Sequence, residues 1–208
     1  MDVYIGMDIS LQTTHLCAVD RDGSMIWEGS APSEVSALTQ CVKEHGGEWE
    51  IKRLVFETGQ LSTMLFHGLK TAGMPVLCID ARHAHGMLKA QRVKTDRNDA
   101  RGLSQIARTG WYNAVHVKSV ESLRLRTLIA GRKQLLYTRQ ALENHIRGTL
   151  KTFGIKLGVV TTDGLAHKVK AALKDVDAFV LGTMASLLKA REELLTQEKA
   201  LEIGRAHV

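Results

Sequence analysis

The sequence predicts an α/β domain with a mixed sheet, followed by a long α-helical extension. Short runs rich in β-forming residues alternate with amphipathic helical runs as far as Ile79. The first three β-forming runs follow one another without an intervening helix. Beyond about Trp111 the strand signal stops, and apolar residues recur only at helical spacing.

Val3 to Ile9, His15 to Val19 and Met25 to Glu28 read as three consecutive antiparallel strands, with Asp20-Arg21-Asp22-Gly23 as the turn between the last two. A helix opens at Pro32-Ser33-Glu34, places Val35, Leu38, Cys41 and Val42 on one face, and ends at Gly46-Gly47. Leu54 to Phe56 reads as a short buried strand, Leu61 to Leu69 as a helix ended near Gly73, and Val76 to Ile79 as another buried strand, with more helix after it. Three antiparallel strands followed by strand-helix units is how an RNase H-like fold begins. In the extension, Leu125, Leu128, Leu135, Leu142, Ile146 and Leu150 form one stripe that stops near Phe153-Gly154. Leu181, Met184, Leu188, Leu194, Leu195 and Leu201 form a second, and the Gly- and Thr-containing stretch between them reads as a loop. Such a pair predicts an antiparallel hairpin or a dimerising coiled coil. The expected division is residues 1–112 for the α/β domain, 113–203 for the long helices and 204–208 for a tail.

The chain of 208 residues is 44% hydrophobic and 24% charged, as in a globular protein with one substantial core. No uncharged apolar run is long enough to span a bilayer, and the acidic start MDVYIGMDIS lacks the lysines of a signal peptide. A cytoplasmic location follows as the expectation, with Cys17, Cys41 and Cys78 as reduced thiols among apolar neighbours. The net charge of +6 is divided: residues 1 to 80 carry 5 Lys/Arg against 11 Asp/Glu, and the remainder 23 against 11. A basic second part suits a polyanionic partner, of which nucleic acid is the commonest, although solvated helix faces are often basic too.

Four carboxylates stand in costly or crowded places. Asp8 interrupts the apolar run IGMDIS, and Glu57 ends LVFETG just before the Thr58-Gly59 turn. Each has a plain structural explanation, as a strand-end cap or as an acid favoured at a helix N-terminus. Asp96 and Asp99, in KTDRNDA, are three apart and share a helix face, where repulsion is relieved by a divalent metal or a shared proton. The alternative there is Asp96 as an N-cap and Asp99 as a first-turn acid. Together the four could hold two Mg²⁺ or Mn²⁺ ions for in-line phosphoryl transfer, and no Cys/His spacing suits zinc.

IGMDIS, ETG with Leu61-Ser62, CIDARHA at Cys78 to Ala84 and above all KTDRNDARGLSQIARTGW at Lys94 to Trp111 resemble the IS-one-ten family of insertion-sequence transposases, relatives of the Piv DNA invertases. The resemblance covers about residues 3 to 155. It implies a RuvC-like fold with Asp8, Glu57, Asp96 and Asp99 as a DEDD metal site, Mg²⁺ or Mn²⁺ as cofactor, DNA as substrate and a guide RNA transcribed from the element. It also implies a further, serine-bearing domain after the long helices, which this chain does not contain. Glu202 to Val208, EIGRAHV, resembles the in-frame translation of a sequencing adapter, so a non-native tail is expected over residues 204–208, the alternative being an authentic helix end with Gly204 as its C-terminal cap.

The cations Arg82, Lys89, Arg92, Lys94, Arg97 and Arg101 surround the acid pair, and Arg132, Lys133, Arg139 and Arg147 lie on the long helix. Cations so placed would let a phosphodiester approach. The sequence-level function is a transposase or site-specific recombinase fragment that performs metal-assisted strand cleavage and transfer, as a homo-oligomer joined through its long helices and nucleoid-associated when bound to DNA. The alternatives are a RuvC-type Holliday-junction nuclease and an inactive nucleic-acid-binding fragment. An actin-like ATPase would need a second Gly-rich phosphate-binding hairpin, which the sequence lacks.

Overall fold

The computed structural model describes residues 1–89, 95–173 and 176–203. The chain separates into two compact units, Met1–Val120 and the residues from Glu121 on. In the first unit β1 (Asp2–Ile9), β2 (Thr13–Val19) and β3 (Met25–Pro32) are followed by α1 (Val35–His45), β4 (Glu50–Glu57), α2 (Ser62–Thr71), β5 (Val76–Ile79), α3 (Ala81–Leu88) and α4 (Asp96–Thr109). The strand order is β3-β2-β1-β4-β5, antiparallel across β1 to β3 and parallel across β1, β4 and β5. This is the RNase H-like sheet.

Strand alternation assigns each side chain to a face. Val3, Ile5 and Met7 of β1, Leu16 and Ala18 of β2, and Leu54 and Phe56 of β4 pack in one core with Leu38 and Val42 of α1 and Leu65 and Leu69 of α2. The residues between them face the other way, where Val55 and Ile79 meet Leu103, Ile106 and Ala107 of α4, and Cys17 and Val19 meet Ala100. The sheet is thus the middle of three layers. Gly6 makes the second interface possible. A Cβ there would lie 2.2 Å from the Ser104 nitrogen and 2.4 Å from the Ala100 carbonyl oxygen, so only glycine lets α4 sit this close to β1. At its far end α4 stops at Gly110, in the left-handed conformation with φ 71°, while Arg53 Nη1 donates to the freed Ala107 carbonyl at 2.9 Å. The chain then returns along the sheet edge, where Val115 donates its N–H to the Cys78 carbonyl and Asp80 donates to that of Asn113.

β4 begins four residues before the Leu54 to Phe56 run. Its first half alternates exposed Glu50 and Lys52 with half-buried Ile51 and Arg53, so only the last half reads as a buried strand.

The second unit contains α5 (Val120–Thr152), α6 (Leu165–Ala172) and α7 (Ala178–Ile203). α5 and α7 run antiparallel: Glu143 meets Arg191, Arg139 meets Glu198 and Arg132 meets Glu202. Within the single chain the two helices form a hairpin. The stretch expected as a loop holds α6, whose Leu165 and Val169 pack with Leu173 beside Ile146, Leu150, Met184 and Leu188. Two turns are too short to show a period in sequence. All three cysteines are free thiols. Among the described residues no helix is long and apolar enough to cross a membrane.

Candidate functional site

Asp8 and Glu57 end neighbouring parallel strands, one register step past the Met7–Phe56 pair. By alternation both lie on the α4 side of the sheet, where the C-terminal ends of parallel strands leave room for a site. They line one cavity of about 220 Å³ with Ser10, Thr58, Gly59, Gln60 and Ser62. The loop after β4 is braced from within. Ser62 Oγ accepts the Gly59 N–H at 2.5 Å, Thr58 donates its N–H to the Ile79 carbonyl, and Thr58 Oγ1 accepts from the Ala81 N–H. The conformation that presents Glu57 is therefore tied to β5 and to the start of α3.

α4 crosses this face antiparallel to β1. Its C-terminus lies by Arg53, early in β4, and Ala100 lies over Gly6. One turn before Ala100 and Leu103 the helix axis has advanced toward the strand ends that carry Asp8 and Glu57, and there stand Asp96 and Asp99. The helix starts at Thr95, whose hydroxyl accepts the Asn98 N–H at 3.2 Å, so Thr95 is the N-cap. Asp96 and Asp99 are first-turn acids, which corrects the alternative of Asp96 as cap. Asp96 is exposed and its Oδ2 stands 4.0 Å from Nε2 of His15, the residue opposite Asp8 on β2; Asp99 is half-buried. The structure thus brings two pairs of acids to one end of the domain. It does not merge them, for among the described residues no three His, Cys, Asp or Glu side chains are close enough to share a metal ion.

The cations divide differently from the expectation. Arg82 is almost wholly exposed beside Asp80, and Lys89 is exposed after α3. Arg92 and Lys94 lie outside the described residues. Arg97 and Arg101 both pair with Glu28 of β3. On α5, Lys133 is exposed over the Tyr137 ring, Arg132 pairs with Glu202, and Arg147 donates to the Gly158 carbonyl at 3.1 Å. Arg139 must be corrected as a nucleic-acid contact. It is 7% exposed, and its guanidinium is taken up by Glu198 at 2.9 Å and Glu143 at 3.0 Å. A phosphate cannot reach it without breaking that network. His15 and Glu28 were not among the expected site residues; each stands at the edge of its β-forming run in sequence but inside the strand that forms.

Layers and strand order define an RNase H-like domain, with two strand-end acids on a shared cavity. Residues 5–155 match the family model described as Transposase, DEDD_Tnp_IS110, and the chain belongs to that family of DEDD transposases. Over 153 residues it is 26% identical to the transposase for insertion sequence element IS1111A of Coxiella burnetii (strain RSA 493 / Nine Mile phase I), which covers 74% of this chain and 40% of that protein. The chain therefore spans about two fifths of the length of this relative. A solved structure of RuvC from Thermus thermophilus aligns with 54% of this chain and 99% of its own, at 12% identity and a TM-score of 0.42.

Proposed function

We propose that this chain is the catalytic portion of a DNA transposase, cutting and joining DNA strands with Mg²⁺ or Mn²⁺ held by Asp8, Glu57, Asp96 and Asp99. The observation that carries this reading is the placement of Asp8 and Glu57 on adjacent strand ends over one cavity, with the acid-bearing turn of α4 directed to the same end. The donor set fits a hard cation: carboxylates and the hydroxyl-bearing Ser10, Thr58 and Ser62 supply oxygen, and the cavity wall has neither sulfur nor imidazole among its described residues. When bound, such ions lower the pKa of an attacking hydroxyl and neutralise charge on the leaving oxygen.

The protein's own part is positional. Asp8 and Glu57 are fixed by the sheet, and Asp96 and Asp99 ride on a helix that packs across it, so drawing the two pairs together is a movement of α4 toward the strand ends. The exposed Arg82 and Lys89 are cations open to DNA phosphates, while Arg97 is engaged by Glu28. Residues 1–112 are read as the catalytic domain, with a guide RNA and a second copy of the chain as further partners of the long helices.

The test is Mg²⁺-dependent cleavage of DNA carrying the element ends, with Asp8→Asn and Glu57→Gln variants. Loss of a direct ligand is expected to cost more than about 100-fold, beyond what groups that only hydrogen-bond to the ligands contribute. Cleavage within threefold of wild type in both variants defeats the metal-site reading. Preferential cleavage of branched junctions over element ends favours a junction nuclease instead.

A further inference from the structure

Glu28 stands outside the acid quartet, on β3. It lies opposite Cys17 in the β2–β3 pairing, hence on the α4 side of the sheet, and its side chain is 18% exposed. Both carboxylate oxygens are engaged by α4. Oε1 stands 3.1 Å from Arg97 Nε, and Oε2 accepts from Arg101 Nε at 2.8 Å and lies 2.7 Å from Arg101 Nη2. Arg97 and Arg101 are one turn apart, the first directly after Asp96 and the pair bracketing Asp99. One carboxylate therefore grips the two turns that carry both helix-borne acids.

The grip is extended in both directions along the helix. Arg101 Nη1 donates to Asn98 Oδ1 at 3.5 Å, and the Asn98 N–H is the one capped by Thr95. Gln105 Nε2 donates to the Gly23 carbonyl at 2.8 Å, and Arg108 Nη1 to that of Arg21 at 3.4 Å. Residues 97, 101, 105 and 108 form one stripe of α4 laid along the β2–β3 hairpin, while Ala100, Leu103 and Ala107 form the buried stripe beside it. Apolar contact tolerates small rotations of a helix. Ion pairs of fixed direction do not, and Glu28 supplies two of them on either side of Asp99.

We propose that Glu28 is a positioning residue: through Arg97 and Arg101 it sets the rotation of α4, and so where Asp96 and Asp99 stand over the strand ends. The inference rests on the metal-site reading above. It has an electrostatic side as well. With Glu28 neutralised, the anions left on the same two turns are Asp96 and Asp99, so the released guanidinium groups compete with a divalent cation for them.

The experiment uses the full chain and Mn²⁺ alone, following free Mn²⁺ by electron paramagnetic resonance for wild type, Glu28→Gln, Arg101→Gln and the double variant. Amide hydrogen exchange and thermal unfolding are measured on the same samples. Glu28→Gln keeps the size and an acceptor oxygen and removes only the charge, so the fold is retained. Expected are a Mn²⁺ Kd raised about 10-fold in each single variant, as for an outer-shell partner, less than about threefold further loss in the double variant because the two act as one unit, and lost protection at residues 97–103 with β1 unchanged. A Kd within twofold of wild type, with α4 protection reduced, makes Glu28 merely structural and overturns the proposal. Unchanged protection in α4 overturns it as well. Wild type binding no more Mn²⁺ than Asp8→Asn does removes the site itself, and the exchange data then report whether Glu28 still holds the helix.

Discussion

Replacing Gly6 with alanine tests whether α4 is seated on β1 as described. The added Cβ would lie 2.2 Å from the Ser104 nitrogen, 2.4 Å from the Ala100 oxygen and 2.6 Å from the Leu103 carbonyl carbon, where ordinary contact begins near 3.4 Å. All three neighbours are backbone atoms, so no side chain can turn aside, and the helix must withdraw by about 1 Å. Overpacking of this kind costs about 1–3 kcal/mol, here toward the upper end. Gly6 has no positive φ, so alanine recovers about 0.4–1 kcal/mol by restricting the unfolded chain. The net expectation is a loss of about 2 kcal/mol, or roughly 6–10 °C in Tm for a unit of this size. On the proposed metal site, the same withdrawal lifts Asp96 and Asp99 from the strand ends, and Mn²⁺ affinity is expected to fall together with stability. Circular dichroism melting and Mn²⁺ titration measure the two effects, with Gly47→Ala, where nothing lies within 4 Å of the new methyl, as the control. A Gly6→Ala protein melting within 1 °C of wild type with unaltered Mn²⁺ affinity refutes the seating of α4 on Gly6.

Two other perturbations probe the second unit and the thiols. Arg139 is held charged, above the ordinary arginine range, chiefly by its hydrogen bond to Glu198 and then by Glu143. Arg139→Ala leaves the buried Glu198 carboxylate with only Arg132, 4.0 Å away, among the described residues and is expected to cost about 3 kcal/mol in urea unfolding, whereas Arg139→Met with Glu198→Leu recovers most of it; a loss under about 1 kcal/mol in the single variant speaks against the buried pair. Burial pushes the Cys17 and Cys78 thiols up from the ordinary value of 9.0, partly countered by hydrogen bonds with Ser104 and Ser62 respectively. A thiol whose pKa is higher folded than unfolded adds stability that is whole below about pH 9 and is lost as pH rises through the folded value. Iodoacetamide at pH 8 should therefore modify half-buried Cys41 first and reach Cys17 and Cys78 only on unfolding, as read by mass spectrometry. Equal labelling of all three in the native protein contradicts that burial.

The sheet was legible because its strands combine β-forming residues with apolar runs, and Asp8 and Glu57 were legible because they spoil those runs. The α4 acid pair was legible by spacing alone. The first half of β4 and the short α6 carry too little apolar pattern to read, and Arg139 was misplaced for a different reason: density along the chain does not show which charges the fold buries, and helical phase does. Arg139 occupies a place in the apolar stripe itself, four residues after Leu135 and three before Leu142. On α7, Arg191 and Glu198 continue the stripe of Met184 and Leu188 at the same steps. A charge at a stripe position is destined for burial and requires an opposite charge on the facing helix, and these three with Glu143 form that network. Arg124, Arg126 and Lys133 stand off the stripe and are exposed. Exposed Lys133 therefore keeps the expectation of polyanion contact, and Arg124 and Arg126 join it, while Arg139 holds the register of the hairpin that displays them.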